Sequence, residues 1–326
     1  PEDPRIMKIC VVGVGAVGGL IGSRLSQAGQ RVSAIARGDT LAALHANGLG
    51  LEVDGELHHY PVEATADAAS LGQQDLIVVA VKEPALRSAA EAIQPLMGPQ
   101  TRVLLAMNGV PWWFFDGRAG PLEGATLASV DPDGRLRDLI PTGQVIGCVA
   151  HLSATNPAPG ISHHRFGNTL IIGQPDGGIS PQTQAAADAL NQAGFDAPID
   201  ASIQQQIWFK LWGNMTMNPV SALTRATTDR IIGDPLVNDF CMRAMSEAAA
   251  VGEAIGLPIA QSPDERNAVT LELGAMKTSM LQDVEASKSL EVEALIGVVH
   301  EIAQRVGVET PTIAAIYGMA RLLANR

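Results

Sequence analysis

Two hydrophobic rhythms divide this chain near residue 200. Before that point, short apolar runs of strand length alternate with stretches of helical period. Lys8–Val12, Arg31–Ala36, Asp75–Val81 and Thr101–Met107 are predicted strands, and the near-continuous apolar run 75–81 fits a parallel sheet covered on both faces. Helices are predicted over 20–28, 41–47, 84–97 and 180–194. A hairpin is predicted over 51–63, turning at Val53-Asp-Gly-Glu56. The runs 144–152, 160–166 and 168–173 read as further strands, expected as antiparallel additions, and 195–200 as a last short strand. From Ser202 onward the period is helical almost throughout, over about 204–217, 235–255, 263–276, 289–306 and 311–324. The predicted fold is α/β: a Rossmann-type dinucleotide-binding domain over 7–200, then an all-helical domain over 201–326.

The first strand runs straight into Gly13-Val-Gly15-Ala16-Val17-Gly18 and then a helix, the context that gives a GxGxxG loop its meaning. Gly13 permits the tight turn, Gly15 lets backbone approach a pyrophosphate, and Gly18 lets the helix pack close. Ala16 and Val17 open that helix, where free N–H groups would meet the phosphates. The second strand ends in Ala36-Arg37-Gly38. An enzyme using NAD places an acid there for the ribose hydroxyls, whereas a cation suits a 2′-phosphate, so Arg37 favours NADP(H). Asp39, two residues on, is the contrary signal. Lys82 and Asn108 each follow a predicted strand, at the carboxyl edge where open α/β sheets bind ligands. A solvated lysine and a turn-forming asparagine are the plainer readings of these two.

The stretch Gln206–Pro219 is strongly apolar yet carries Lys210, Asn214 and Asn218 at i, i+4 and i+8. Each helical step of four drifts only about 40°, so the three form one polar row. Trp208, Leu211, Trp212 and Met215 cover much of the remaining surface. A lysine buried there is expected to lose some basicity and become a usable proton donor; alternatively it reaches water along its stem. Ser279 and Asp283 share a helical face, and Glu291 and Glu293 are expected to open the next long helix, where carboxylates suit the dipole; for Glu293 that electrostatic role is the whole reading. Trp112-Trp-Phe-Phe115 follows Asn108 closely. These rings would roof a substrate pocket, form an oligomer contact or pack under a loop. Asp131-Pro-Asp-Gly134 is a turn signal.

Composition narrows the partners. With a formal charge of −12 and a pI near 5.0, nucleic acid and anionic membranes are disfavoured, and any anion site must be locally basic. No run is long enough for a membrane span. Cys10, Cys148 and Cys241 are widely spaced in apolar contexts, which points to reduced thiols and the cytoplasm. His58-His59 and His163-His164 lie in strand-like runs, where neighbours point to opposite faces, so no metal is expected. The six residues before Met7 are too short and not basic enough for a signal peptide, and are set aside as an over-called start or an expression remnant. A homodimer is the default assembly.

Taken together, these motifs resemble the ketopantoate reductase (2-dehydropantoate 2-reductase) family over nearly the whole chain. The resemblance rests on Gly13–Gly18, Arg37, Lys82, Asn108-Gly109, Lys210-x3-Asn214-x3-Asn218-Pro219, Ser279-Met-Leu-Gln-Asp283 and Glu291. It implies NADPH-dependent reduction of a 2-oxo acid, with ketopantoate to pantoate as the parent reaction of pantothenate and coenzyme A synthesis. By position, Lys210 is implied as general acid and Glu291 as the carboxylate that engages substrate and helps place the lysine. Asn214, Asn218 and Ser279 are implied as substrate contacts, Arg37 and Lys82 as cofactor contacts, and Asn108 as a residue near the nicotinamide.

Three departures lie mostly on the substrate side. A long segment runs from Val110 to about Leu139 where the family pattern has a shorter linker. Thr227-Thr228 stand where an asparagine is frequent, and Leu290-Glu-Val-Glu293 replaces Thr-Glu-Ile-Asp. Reduction of a bulkier or more aromatic 2-oxo acid, motivated by Trp112–Phe115, is therefore the main alternative. A 3-hydroxyacid or 6-phosphogluconate type dehydrogenase and a non-catalytic NADP(H) sensor are weaker ones, opposed by the Ser279 motif and Glu291.

Overall fold

The computed structural model describes residues 6–325; apart from Ile6, the stretch set aside before Met7 lies outside them. By internal contacts the chain forms two compact units. One takes the residues up to Met107 together with Arg135–Ile203, and the other takes Asn108–Gly134 together with everything from Gln204 on.

The first unit is built on a nine-stranded sheet. Its elements are β1 (Lys8–Val12), α1 (Ala16–Gln27), β2 (Arg31–Ile35), α2 (Gly38–Asn47), β3 (Leu49–Val53), β4 (Glu56–Tyr60), β5 (Glu63–Thr65), β6 (Leu76–Val79), α3 (Leu86–Ala92), β7 (Arg102–Leu105), α4 (Arg135–Leu139), β8 (Val145–Ala158), β9 (Ile161–Gly173) and α5 (Pro181–Gln192). The strand order is β4-β3-β9-β8-β7-β6-β1-β2-β5. From β5 to β8 every neighbouring pair is parallel. All four residues of β6 and all but the first of β1 are buried, as expected of strands covered on both faces.

Beyond β7 the sheet changes character. β8 joins β7 in parallel, and only β9 is antiparallel to β8, so the expectation of purely antiparallel additions needs correction. The two runs expected as separate strands around Gly167 are one strand. Gly167, at φ 74°, absorbs the irregularity without ending the ladder; a Cβ there would fall 2.6 Å from the His151 carbonyl oxygen. The expected strand 195–200 is reduced to isolated bridges at Asp196 and Ile199. The expected helix 84–97 contains only a seven-residue α-helix between short 3₁₀ turns. Pro95 lacks the N–H that would continue it.

The second unit is helical: α6 (Ile203–Thr224), α7 (Thr228–Gly233), α8 (Pro235–Ala254), α9 (Pro263–Glu272), α10 (Ser279–Glu285), a single π-turn (Glu293–Gly297) leading into α11 (Val298–Val306), and α12 (Pro311–Ala324). α6 outruns its expected end by seven residues and carries Pro219 in its interior. Val220 and Ala222 beyond the proline are buried, and that burial holds the last turns. Two indoles fix α6 to α8. Trp212 Nε1 donates to the Met245 carbonyl at 2.8 Å, and Gly252 leaves room for Trp208 that no side chain could share.

Segment 108–134 was expected in the first domain but belongs to this unit. The reason is hydrophobic. Trp112 and Trp113 are each 1% exposed, Phe114 is fully buried and Phe115 is 4% exposed. The Phe114 ring lies 6.2 Å from that of Trp208 in α6, and Phe115 meets it edge-on at 5.2 Å. The far end of the segment is tied by Glu301 of α11. Its carboxylate accepts from the Ala128 and Ser129 amides at 2.9 and 2.8 Å and from the Ser129 hydroxyl at 2.6 Å. Of the three readings of the aromatic cluster, packing under a loop is the one the structure shows.

Candidate active site

The glycine loop makes the first part. At Gly13, φ is 91° and a Cβ would fall 2.6 Å from the Ala80 carbonyl oxygen. At Gly18 a Cβ would fall 2.0 Å from the Gly13 oxygen, so the first turn of α1 closes directly on the loop. Gly15 is different, because nothing lies within 4 Å of where its Cβ would be. Its open side is where another group can approach backbone. α1 begins there without a capping side chain and without an acidic residue in its first turn. The amides of Ala16, Val17 and Gly18 thus keep their affinity for an anion. Ser162 of β9 donates to the Ala16 carbonyl at 2.5 Å, fixing this end of the helix to the sheet.

Arg37 directly follows β2 and is exposed, as the residue that begins α2. Asp39 lies close by, in the first turn of that helix. Lys82 follows β6 and is partly buried. A cradle without side chains, a bare helix end and a nearby exposed cation suit a phosphorylated dinucleotide.

The second part lies within the helical unit. Lys210 is partly buried and its ammonium donates to Asn108 Oδ1 at 2.9 Å. Asn108 is itself held from behind. Gly109, at φ 86°, comes so close to the π-turn that a Cβ would fall 2.5 Å from the Ala294 oxygen, and the Val110 amide donates to that same oxygen at 2.9 Å. The lysine's partner is therefore clamped to the turn that follows Glu291. A π-turn inserts one extra residue into a helix and is frequent at functional sites.

Further along α6, Asn218 is 7% exposed and its Nδ2 donates to Ser279 Oγ at 3.5 Å, the long limit of a hydrogen bond. Thr278 caps α10 by accepting from the Leu281 amide, so the Ser279 hydroxyl is not consumed as a cap. Asn214 is partly buried in the same row. The structure thus joins Lys210 to Asn108 and Asn218 to Ser279, with Asn214 between on the helix.

Two acidic residues are corrected. Glu291 lies immediately before the helix, not in its first turn. Glu293 does more than suit a dipole: its two oxygens accept from the Tyr317 hydroxyl at 2.8 and 3.1 Å, tying the π-turn to α12. Burial, and then this carboxylate, push the Tyr317 phenol above its usual pKa. Tyr317 and Ala294 were not anticipated, since the role of each rests on contacts far away in sequence. Thr228, at one position of the departure noted above, is committed to backbone: its amide donates to Met276 O at 2.9 Å and its hydroxyl to Gly274 O at 3.1 Å.

Among the described residues no group of three or more His, Cys, Asp and Glu could hold a metal, and no helix is long and apolar enough to cross a membrane. Burial raises the Cys10 and Cys241 thiols to about 11, which leaves them unreactive.

A glycine loop opening the first helix of a parallel sheet, with a separate helical unit that presents a lysine held by an asparagine, defines an oxidoreductase of the Rossmann type. The family model described as Ketopantoate reductase PanE/ApbA matches residues 9–177, and its C-terminal counterpart matches 202–324. A 2-dehydropantoate 2-reductase from Mesorhizobium japonicum is 41% identical over 98% of both chains. A crystal structure from Ralstonia solanacearum, assigned as a ketopantoate reductase, is 54% identical over 98% of both chains with a TM-score of 0.95. The chain belongs to the ketopantoate reductase family. A D-mandelate dehydrogenase solved with NADH and anilino(oxo)acetate shares the fold at 20% identity and a TM-score of 0.80, covering 98% of this chain and 99% of that one.

Proposed function

We propose that this enzyme uses NADPH to reduce 2-dehydropantoate (ketopantoate) to pantoate, a step of pantothenate and coenzyme A biosynthesis, in the cytoplasm and as a homodimer. The carrying observation is the Lys210 ammonium fixed by Asn108 at the head of a lysine–asparagine row. The substrate assignment is supported by the full-length relative of that name at 41% identity. The burial of Trp112–Phe115 takes away the main reason for preferring a bulkier substrate.

In this reading Gly13, Gly15, Ala16, Val17 and Gly18 receive the pyrophosphate, Arg37 the 2′-phosphate, and Lys82 lies along the cofactor. NADPH, when bound, supplies a hydride to C2 of the oxo acid. Lys210 answers the negative charge that develops on the carbonyl oxygen and donates the proton that completes the hydroxyl. Asn108 keeps the ammonium aimed by accepting one of its hydrogens. Asn214, Asn218 and Ser279 hold the substrate's hydroxyl and carboxylate oxygens, and Glu291 engages substrate and helps place the lysine.

The test is steady-state oxidation of NADPH with ketopantoate against a panel of 2-oxo acids, with NADH in parallel. A kcat/KM for ketopantoate with NADPH far above the panel is expected. A clear preference for a bulkier acid would overturn the substrate assignment and leave the Lys210 chemistry standing.

A further inference from the structure

The row on α6 supplies one cation, and the mechanism commits it to the carbonyl oxygen. A 2-oxo acid carries a second demand, a charge to balance its carboxylate, which the neutral Asn214, Asn218 and Ser279 do not supply. One group beside the row answers it. Arg266 of α9 lays its guanidinium against α6, with Cζ 5.6 Å from the centroid of the Phe209 ring. It also lies over Gly213. A Cβ on that glycine would fall 2.9 Å from both Nε and Nη2 of Arg266 and 3.2 Å from Cζ. Gly213 is thus the seat of the guanidinium, and an alanine there would displace it.

Phe209 and Gly213 immediately precede Lys210 and Asn214, so Arg266 flanks the polar row on one side. Gly213 and Lys210 are three residues apart, about 60° around the helix. The guanidinium is partly buried, and burial alone pulls its pKa below the usual value. Among the described residues its head group has no ion pair and no hydrogen bond; it rests on the Phe209 face and on Gly213. A half-buried cation left in that state is costly unless a ligand completes it. A guanidinium also presents parallel N–H donors that match a carboxylate. In a protein of net charge −12, a cation not paired with an acid is what an anionic substrate requires.

We propose that Arg266 binds the substrate's carboxylate and sets the enzyme's preference for an anionic 2-oxo acid over neutral carbonyl compounds. This rests on the function proposed above and deepens it.

The experiment is calorimetric titration of the NADP⁺-saturated enzyme, which cannot reduce the ligand, with ketopantoate and with its neutral primary amide. Wild type is compared with Arg266→Met, Arg266→Lys and Gly213→Ala, with kcat and KM measured in parallel and folding checked by circular dichroism. Arg266→Met keeps the apolar stem over Phe209. It is expected to weaken ketopantoate at least about tenfold, the scale of a charge-assisted pair, and to leave the amide within about twofold. KM should rise by more than kcat falls. Arg266→Lys should recover part of the loss, and Gly213→Ala, which only shifts the head group, should weaken ketopantoate by less than the methionine variant does.

Equal weakening of acid and amide would show a structural role and overturn the proposal. So would unchanged ketopantoate affinity in a folded Arg266→Met. Full turnover of ketopantoate by that variant would remove Arg266 while the function stands. No binding or turnover of any 2-oxo acid by wild type would remove the function itself, and the assignment with it.

Discussion

Lys210 and Asn108 meet across 102 positions of sequence, ammonium to amide oxygen at 2.9 Å, within one helical unit. In the proposed mechanism this pairing fixes the proton donor. Lys210→Ala should lower kcat by about 100-fold or more, in line with the loss of a positioned general acid, with NADPH affinity kept within about threefold. Asn108→Ala should cost less, because it loosens the ammonium without removing it. Stopped-flow hydride transfer and fluorescence titration of NADPH check both; near wild-type turnover in Lys210→Ala would exclude the residue from the chemistry.

The clamp behind Asn108 can be probed with two alanines. Gly109 and Gly134 both have positive φ, 86° and 72°. Only Gly109 faces backbone at clash distance, 2.5 Å from Ala294 O, while nothing lies within 4 Å of the position a Cβ would take at Gly134. Gly134→Ala should cost about 1 kcal/mol, the backbone strain alone. Gly109→Ala should cost several kcal/mol and lower kcat as well. Urea unfolding with matched kinetics separates them, and equal losses would mean that the contact with the π-turn is slack.

Glu301 gives a pH prediction. Burial works to raise its pKa, but the hydrogen bonds from the Ser129 hydroxyl, the Ser129 and Ala128 amides and the Arg305 charge outweigh it and hold the carboxyl below its ordinary value of 4.5. A depressed folded pKa contributes stability that is complete above the unfolded value and lost as pH falls through the folded one. Glu301→Gln should therefore be less stable than wild type at pH 7, by about 1–3 kcal/mol. The gap should hold down to about pH 5, then close as the pH drops below 4.5. A gap independent of pH would assign the effect to packing.

Arg37 is exposed after β2, so its charge is available without rearrangement. Arg37→Ala should raise KM for NADPH by about tenfold or more and leave NADH nearly unchanged, since only the former carries the 2′-phosphate. Equal effects on both cofactors would point to a contact with the shared part of the dinucleotide.

The parts legible in the sequence were those whose cause is local. Gly13, Gly15 and Gly18 announce the loop because the spacing is local to one strand–turn–helix; in the structure Gly13 and Gly18 each sit where a Cβ would clash with backbone, and Gly15 faces open space. The Lys210 row was visible because helical period alone aligns it. The misplaced parts depend on distant contacts. Nothing near Phe114 says that its partner is Trp208 of α6, about a hundred residues on. The π-turn hides because one inserted residue hardly disturbs a helical pattern. Arg266 carries no signal in the sequence, because Phe209 and Gly213 come beneath it only in the fold.

The loan of residues 108–134 to the helical unit has a consequence for how this protein can be cut and made. The backbone leaves the sheet unit after Met107, returns at Arg135 and leaves again after Ile203. The helical unit is therefore not a C-terminal module. A fragment starting at Gln204 would lack Phe114 and leave Trp208 facing a gap, and would also lack the Asn108 that aims Lys210. On the ribosome, the aromatic segment emerges long before the helices that will cover it and must be shielded until they arrive. Domain swaps between relatives would need to exchange this insert together with the helices to keep the lysine in place.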